Sequence, residues 1–258
     1  MTTAGPSAEA GELSLSVVIP VFNERQTLPL ILQSVRTALP GAKKEIIVVD
    51  DGSTDGTRDW LHQTFGLGHH ALPESNDDIQ VIFHERNGGK GMALRTGMAA
   101  ATCELIVIQD ADLEYDPADW SEMFALFQRG VADVVYGSRF YGRPHRVLYF
   151  YHLLGNKTIT YLFNALFNQT LSDLETCYKM FRRTMIEGVD FRSRDFGIEV
   201  ELSALFATSR KCRIYEMGIR YFGRTYDEGK KIGWRDGLKA LWYVVLFRFA
   251  PPRKAASR

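Results

Sequence analysis

Two aspartates one residue apart, Asp110 and Asp112, close the apolar run Leu105-Ile106-Val107-Ile108-Gln109, and Glu114 follows two residues later. On an extended chain, residues two apart share a side, so Asp110 and Asp112 can converge on one volume. Two close carboxylates repel unless a cation sits beside them or one takes up a proton. A hard divalent cation takes oxygen ligands and is commonly shared with substrate phosphates. Asp-x-Asp at the end of a buried strand is therefore an anchor for a metal–diphosphate pair; the plain alternative is a solvated acidic turn. Asp50 and Asp51 end a second apolar run, Ile46-Ile47-Val48-Val49, and as free carboxylates they suit a base edge or ribose hydroxyls. Further on, Asp173, Glu175, Glu199 and Glu201 are candidate bases. Arg suits bidentate phosphate contacts, whereas Lys acts as a movable point charge.

These groups need strand ends and helix starts to hold them. The apolar spacing predicts strands over Leu15–Val21, stopped at Pro20, over Glu45–Asp51, over Ile79–His84, over the central run from Leu105, and over Ala132–Tyr136. Helices are predicted over Pro29–Leu39, after the Gly52–Thr57 turn, from Gly88-Gly89-Lys90-Gly91 to about Ala101, and over Pro117–Phe127. Alternation of this kind argues for a parallel sheet covered on both faces, with ligands at the carboxyl rim. Gly66–Asp78 reads as a polar loop. After Pro144 the chain turns aromatic: Val147–Leu171 reads as two helical segments broken at Gly155-Asn156-Lys157. A helix over Asp195–Thr208, a strand over Arg213–Tyr221 and an apolar helix over Gly237–Phe249 follow.

The chain has 258 residues, 45% hydrophobic and 24% charged, enough for a real core in one large domain. Its formal net charge of zero gives no reason to expect nucleic acid as a partner. Three cysteines without metal-site spacing fit a reduced, cytoplasmic compartment. No run approaches the roughly 20 apolar residues of a spanning helix. Two phosphate loops are excluded. Gly88-Gly89-Lys90-Gly91-Met92 lacks the Lys-Ser/Thr pair of a P-loop, and the dinucleotide fingerprint would need Gly or Ala where Leu94 stands. A nucleotidyltransferase would want a Gly-rich first loop, which Val21-Phe22-Asn23-Glu24 is not.

Four blocks carry a family resemblance: Val18-Ile19-Pro20-Val21-Phe22-Asn23-Glu24, Ile47-Val48-Val49-Asp50-Asp51-Gly52-Ser53, Asn87-Gly88-Gly89-Lys90-Gly91 and Asp110-Ala111-Asp112. In this order they resemble the family 2 inverting glycosyltransferases of the GT-A fold, and within them the polyprenyl-phosphate sugar synthases of the dolichyl-phosphate mannose or glucose type. The match spans about Leu15 to Lys231. It implies an α/β fold of GT-A type, a mostly parallel sheet with helices on both faces plus C-terminal acceptor-side helices. The domain would run over 13–250, a nucleotide-sugar half (13–140) and an acceptor half with interfacial helices (141–250), between a disordered tail (1–12) and a basic tail (251–258).

Carried over by residue, the resemblance places Pro20, Phe22, Glu24, Asp51, Lys90 and Ala111 around the nucleotide. It gives Asp110 and Asp112 the diphosphate through Mg²⁺ or Mn²⁺, with Asp112 the direct ligand; Glu114, where the synthases commonly have glutamine, would add a ligand or touch the sugar. Arg139 would face the acceptor phosphate or donor diphosphate. Arg224 and Lys231 would form a late basic pair over the donor, with Lys230 as the alternative partner because Arg-x-x-Gly-x-Ser-Lys is replaced here. Asp173 is the acid expected beside the acceptor.

The activity expected is transfer of a hexose from a nucleotide-diphosphate sugar, UDP-hexose ahead of GDP-mannose, to a polyprenyl phosphate. The alternatives are a soluble or glycan hydroxyl acceptor and a nucleotide-sugar sensor without turnover. A phosphate acceptor needs little help from a base, its second pKa being ~6. The aromatic Tyr149–Phe167 stretch suits a helix in the membrane interface, with packing on the sheet as the other reading. The enzyme expected is cytoplasmic and peripheral, at the inner face of the membrane. A separate membrane protein as docking partner and a homo-oligomeric state are both compatible with this.

Overall fold

The computed structural model describes residues 13–66, 68–71, 78–225, 227–228 and 233–252. The tail 1–12 and residues 253–258 of the basic tail lie outside the described residues. Eight strands form one sheet: β1 (Leu15–Val21), β2 (Lys44–Asp50), β3 (Gly68–Ala71), β4 (Asp78–Phe83), β5 (Leu105–Ile108), β6 (Val134–Ser138), β7 (Lys179–Arg182) and β8 (Ile214–Gly218). Their order is β3-β4-β2-β1-β5-β7-β6-β8. Pairs β1–β2, β1–β5, β2–β4 and β6–β8 are parallel; β3–β4, β5–β7 and β6–β7 are antiparallel. The α/β architecture expected from the sequence is the one found.

Seven α-helices cover the sheet: α1 (Leu28–Thr37), α2 (Thr57–Phe65), α3 (Lys90–Ala100), α4 (Trp120–Gln128), α5 (Phe150–Phe167), α6 (Gly197–Thr208) and α7 (Trp234–Phe249). Alternate side chains of the buried strands feed two cores. Val17, Ile19, Ile46 and Val48 pack with α1 and α4, while Val18, Ile47, Val49 and Ile106 pack with α3, α5, α6 and α7. Gly97 lets α3 lie almost on β1, because a Cβ there would come within 2.4 Å of Val18 Cγ1. The carboxyl ends of β1, β2, β4, β5 and β6 therefore share one rim, and the order reverses between β1 and β5, where open α/β sheets bind ligands.

Four expectations need correction. β1 runs through Pro20 to Val21 rather than stopping at the proline. Its pairing with β5 has already ended at Val18, so the missing N–H interrupts no ladder there. The Gly66–Asp78 stretch holds the short edge strand β3, paired antiparallel to β4 through backbone alone legible to no side-chain pattern; residues 67 and 72–77 lie outside the described set. The expected break at Gly155-Asn156-Lys157 is absent, and α5 is one helix of 18 residues. A mid-helix glycine costs about 1 kcal/mol against alanine, less than the helix gains by burying Ile159, Phe163 and Phe167. Finally, β7 was unforeseen: it inserts antiparallel between β5 and β6 behind a lysine, Lys179, that is fully buried.

Candidate active site

The nucleotide-side residues line the rim at β1. Pro20 lies in β1, and Phe22 and Glu24, in the turn that follows, are partly exposed. Asn23, with φ 55°, takes a left-handed turn that is stitched to the loop after β2: its N–H donates to Ser53 Oγ (2.9 Å) and its Oδ1 accepts from Thr54 N–H (2.8 Å). Asp51 is already engaged within the fold. Its Oδ1 accepts from Gly88 N–H (2.9 Å) and contacts His84 Nδ1 (2.7 Å), and its Oδ2 accepts from Gly89 N–H (2.8 Å). Asp50 is fully buried against Arg58 Nε at 2.8 Å. Asp51 thus folds the Gly88-Gly89 turn, and Gly89 (φ 92°) leaves no room for a Cβ, which would meet Arg194 O at 2.4 Å.

That turn aims Lys90, the first residue of α3, under the acidic strand end. Lys90 Nζ lies 2.8 Å from Asp110 Oδ1, 2.8 Å from Cys177 Sγ and 3.4 Å from Glu199 Oε1. Burial opposes the ammonium, but Asp110 and Glu199 outweigh it and hold its pKa well above the usual lysine value. Burial likewise works against the Asp110 carboxylate, and Lys90 reverses the effect, lowering its pKa. Behind them Lys179 Nζ meets Glu199 Oε2 at 2.6 Å, which explains a lysine inside a sheet.

Asp112 has a different cationic partner. Leu113, at φ 62°, turns the chain left-handed, and Glu114 N–H bonds back to Asp112 Oδ1 (3.2 Å). A left-handed β-carbon-bearing residue is costly, of order 1 kcal/mol or more, and such turns concentrate at functional sites. Arg224 closes this corner: Nη2 donates to Asp112 Oδ2 at 2.8 Å, while Nη1 lies 3.5 Å from Glu24 Oε1 and Nε 3.5 Å from Glu114 Oε1. Burial first, then the Asp110 and Glu114 carboxylates, push the Asp112 carboxyl up to about 7 despite Arg224.

Arg139, just beyond β6, is clamped by the fully buried Asp173: Nε to Oδ2 and Nη2 to Oδ1, both 2.7 Å. Burial raises the Asp173 pKa, but Arg139 more than offsets it and the net shift is downward. Asn156 of α5 adds a bond to Asp173 Oδ1 at 3.3 Å. Tyr221 joins the two corners: its ring lies under the Arg139 guanidinium (5.2 Å) and its hydroxyl donates to Glu114 Oε2 (2.8 Å). Glu175, two residues past Asp173, has a buried Oε1 with no hydrogen-bond partner, and burial pushes its carboxyl up to about 7.

The rim thus gathers Pro20, Phe22, Glu24, Asp110, Ala111, Asp112, Glu114, Arg139, Asp173 and Arg224. Lys230 and Lys231 lie outside the described residues. Among the described residues no three His, Cys, Asp or Glu side chains form a ready cation cage. Asp110, Asp112 and Glu114 are kept from sharing one centre because Lys90 and Arg224 each hold part of the set. The donor set still fits Mg²⁺ or Mn²⁺: it is all oxygen, it carries more negative charge than its neighbours balance at Asp112, and such ions need only one or two carboxylates beside phosphates. Glu175 had a sequence signal as one of several acids. Tyr221, Lys179 and the Lys90–Cys177 contact had none, since each depends on partners far along the chain.

Comparison with known proteins identifies the fold and the family. The glucosyl-3-phosphoglycerate synthase of Mycobacterium tuberculosis, solved with Mn²⁺, UDP and phosphoglyceric acid, is 20% identical with a TM-score of 0.69, over 95% of this chain and 81% of that one. Its complex with Mg²⁺ and UDP gives 19% and 0.68. This is likeness of fold, the GT-A fold. Among curated relatives, a dolichol-phosphate mannosyltransferase of Pyrococcus furiosus is 26% identical over 85% of this chain and 61% of its own length. A dodecaprenyl-phosphate galacturonate synthase of Rhizobium johnstonii is 28% identical over 88% of this chain and 64% of its own. The chain therefore spans less than two thirds of either relative. The family model described as glycosyl transferase family 2 matches residues 16–189, a stretch that carries the rim from β1 to β7 with both of its acidic pairs. The chain belongs to glycosyl transferase family 2.

Proposed function

We propose that this chain is a metal-dependent inverting glycosyltransferase that moves a hexose from a nucleotide-diphosphate sugar to a polyprenyl phosphate at a membrane surface, UDP-hexose being the first donor to try and GDP-mannose the second. Pro20, Phe22, Glu24, Asp51, Lys90 and Ala111 frame the nucleotide, Asp51 and Lys90 doing so from beneath through the Gly88-Gly89 turn and Asp110. Asp110 and Asp112, with Glu114, would hold Mg²⁺ or Mn²⁺, which neutralises the charge gathering on a leaving diphosphate. Arg224 adds positive charge at the same corner, and Lys230 or Lys231 is the basic partner that the family resemblance assigns to it. Arg139, fixed in rotamer by Asp173, presents its exposed edge to the acceptor phosphate. An acceptor-phosphate oxygen forms the new bond to the anomeric carbon as the bond to the nucleoside diphosphate breaks. No proton need be removed from a dianion, so Asp173 serves as the brace of Arg139.

The observation that carries the lipid acceptor is the first half of α5. Phe150 is 66% exposed and Tyr151 82%, with Leu153 and Leu154 beside them, while one turn on Asn156 reaches Asp173 and Lys157 Nζ bonds Ser172 O (2.9 Å). An apolar surface thus runs up to the Arg139 corner, as an amphiphile with a phosphate head requires. The names of the two curated relatives support the same acceptor class. Among the described residues no helix is long and apolar enough to cross a membrane.

The test is turnover of UDP-hexoses and GDP-mannose with a short-chain polyprenyl phosphate, with and without EDTA. A lipid-linked hexose that forms only with a divalent cation is expected. Transfer to phosphoglycerate or a glycan hydroxyl, with none to the lipid, would favour the second reading, a hydroxyl acceptor. Glu175 supports that reading, because its unpartnered oxygen and raised pKa suit a general base.

A further inference from the structure

Arg224 is held unevenly. Its backbone N–H is tied to Glu114 Oε1 at 2.8 Å, and the neighbouring Phe222 N–H to Glu114 O at 2.9 Å. Its guanidinium makes one good contact, Nη2 to Asp112 Oδ2, while Nη1 is at the 3.5 Å margin from Glu24 and the buried Nε has no hydrogen-bond partner. The backbone is therefore anchored independently of the guanidinium, which has one close and two marginal carboxylate contacts. The contact it does make is with Asp112, the carboxylate assigned above to the divalent cation. A guanidinium cannot shed its proton to make way, and two cations on one carboxylate repel.

We propose that Arg224 is the resident counter-cation of the donor-free site: it competes with the divalent cation for Asp112, and gives up that contact for the diphosphate when cation and nucleotide arrive together, with Glu114 as the positioning residue that anchors its backbone. Arg224 then has two employments in one cycle. Without ligand it neutralises the Glu24, Asp112 and Glu114 cluster, which keeps the empty corner folded. With ligand the same charge transfers to the leaving group over a distance set by one side-chain rotation. Free cation binds weakly, and nucleotide binding strengthens it by offering Arg224 a new anion. The inference rests on the metal-dependent reading above.

The experiment is a Mn²⁺ titration followed by electron paramagnetic resonance on the whole chain, without nucleotide and with saturating UDP, for wild type, Arg224→Gln and Arg224→Lys. Without nucleotide, Arg224→Gln should bind Mn²⁺ at least about tenfold more tightly than wild type, the Coulomb gain of removing one nearby cation, and Arg224→Lys should stay near wild type. Adding UDP should strengthen Mn²⁺ binding more in wild type than in Arg224→Gln. Equal or weaker Mn²⁺ binding by donor-free Arg224→Gln overturns the proposal. A wild type that binds no Mn²⁺ even with UDP overturns instead the metal-dependent reading beneath it. A second measurement uses the unaltered protein: dicarbonyl modification of Arg224, mapped by mass spectrometry, should speed up on adding Mn²⁺ alone, and an unchanged rate counts against the competition.

Discussion

Asp173 and Glu175 stand two residues apart, yet their surroundings give them opposite chemistry. Asp173 is spent: both oxygens bind Arg139, and its pKa is lowered. Replacing it by Asn leaves a largely buried guanidinium half-paired, at a cost of up to about 3 kcal/mol once the remaining exposure of Arg139 is allowed for. Asp173→Asn should therefore lower Tm and kcat together without moving the acid limb of the pH–rate profile; a shifted limb at unchanged Tm would restore it as a base. Glu175 titrates in the other direction, from 4.5 to about 7 on folding. The folded chain holds more protons than the unfolded one between those values, so this group's stabilising share is full at low pH and is lost as pH rises through about 7. Glu175→Gln removes the titration. Its Tm advantage over wild type should be greater at pH 8 than at pH 5 by about 2 °C or more, read by calorimetry; equal advantages at both would refute the burial of that carboxyl.

At the level of elements, strands and helices with an apolar period were legible and those set by distant partners were not. Leu15–Val21 declares itself through five β-branched or leucine neighbours whichever chain surrounds it, and β5 through its unbroken apolar run. β7 carries Lys179 in its first position, which the Glu199 carboxylate on α6 and the carbonyls of Leu174 and Thr176 make tolerable. The Asp-x-Asp pair was legible because two carboxylates close behind a buried apolar strand stand out in sequence, although the strand ends at Ile108 and a turn places Asp112. The engagement of Asp51 by Gly88 and Gly89 was not, since a carboxylate that folds a turn looks the same in sequence as one that binds a ligand. Gly155 was misread as a break for a related reason. It meets nothing within 4 Å of where a Cβ would stand, and its helix survives on packing further along. Gly155→Ala should accordingly raise stability by about 0.5–1 kcal/mol, measured by denaturant melting, with activity unchanged; a loss of stability would mean that α5 does bend there.

Over the whole molecule the charge is balanced and the apolar surface is not. Tyr151, Tyr161, Trp242 and Phe249 stand out from α5 and α7, two helices packed on one another on the same face of the sheet. On the proposed reading this is the surface that meets lipid. Liposomes should float the wild type, and Phe150→Asp with Tyr151→Asp should reduce the floated fraction several-fold without lowering Tm; equal flotation of both proteins would remove the membrane from the account. Everything else depends on the cation. A crystal of the chain grown with UDP-hexose and Mn²⁺ tests it most directly, through the anomalous signal of manganese. The account predicts a peak about 2–2.3 Å from an Asp112 carboxylate oxygen, bridging to the diphosphate, with Arg224 turned away from Asp112. Manganese and nucleotide bound elsewhere, with Arg224 still on Asp112, would contradict it.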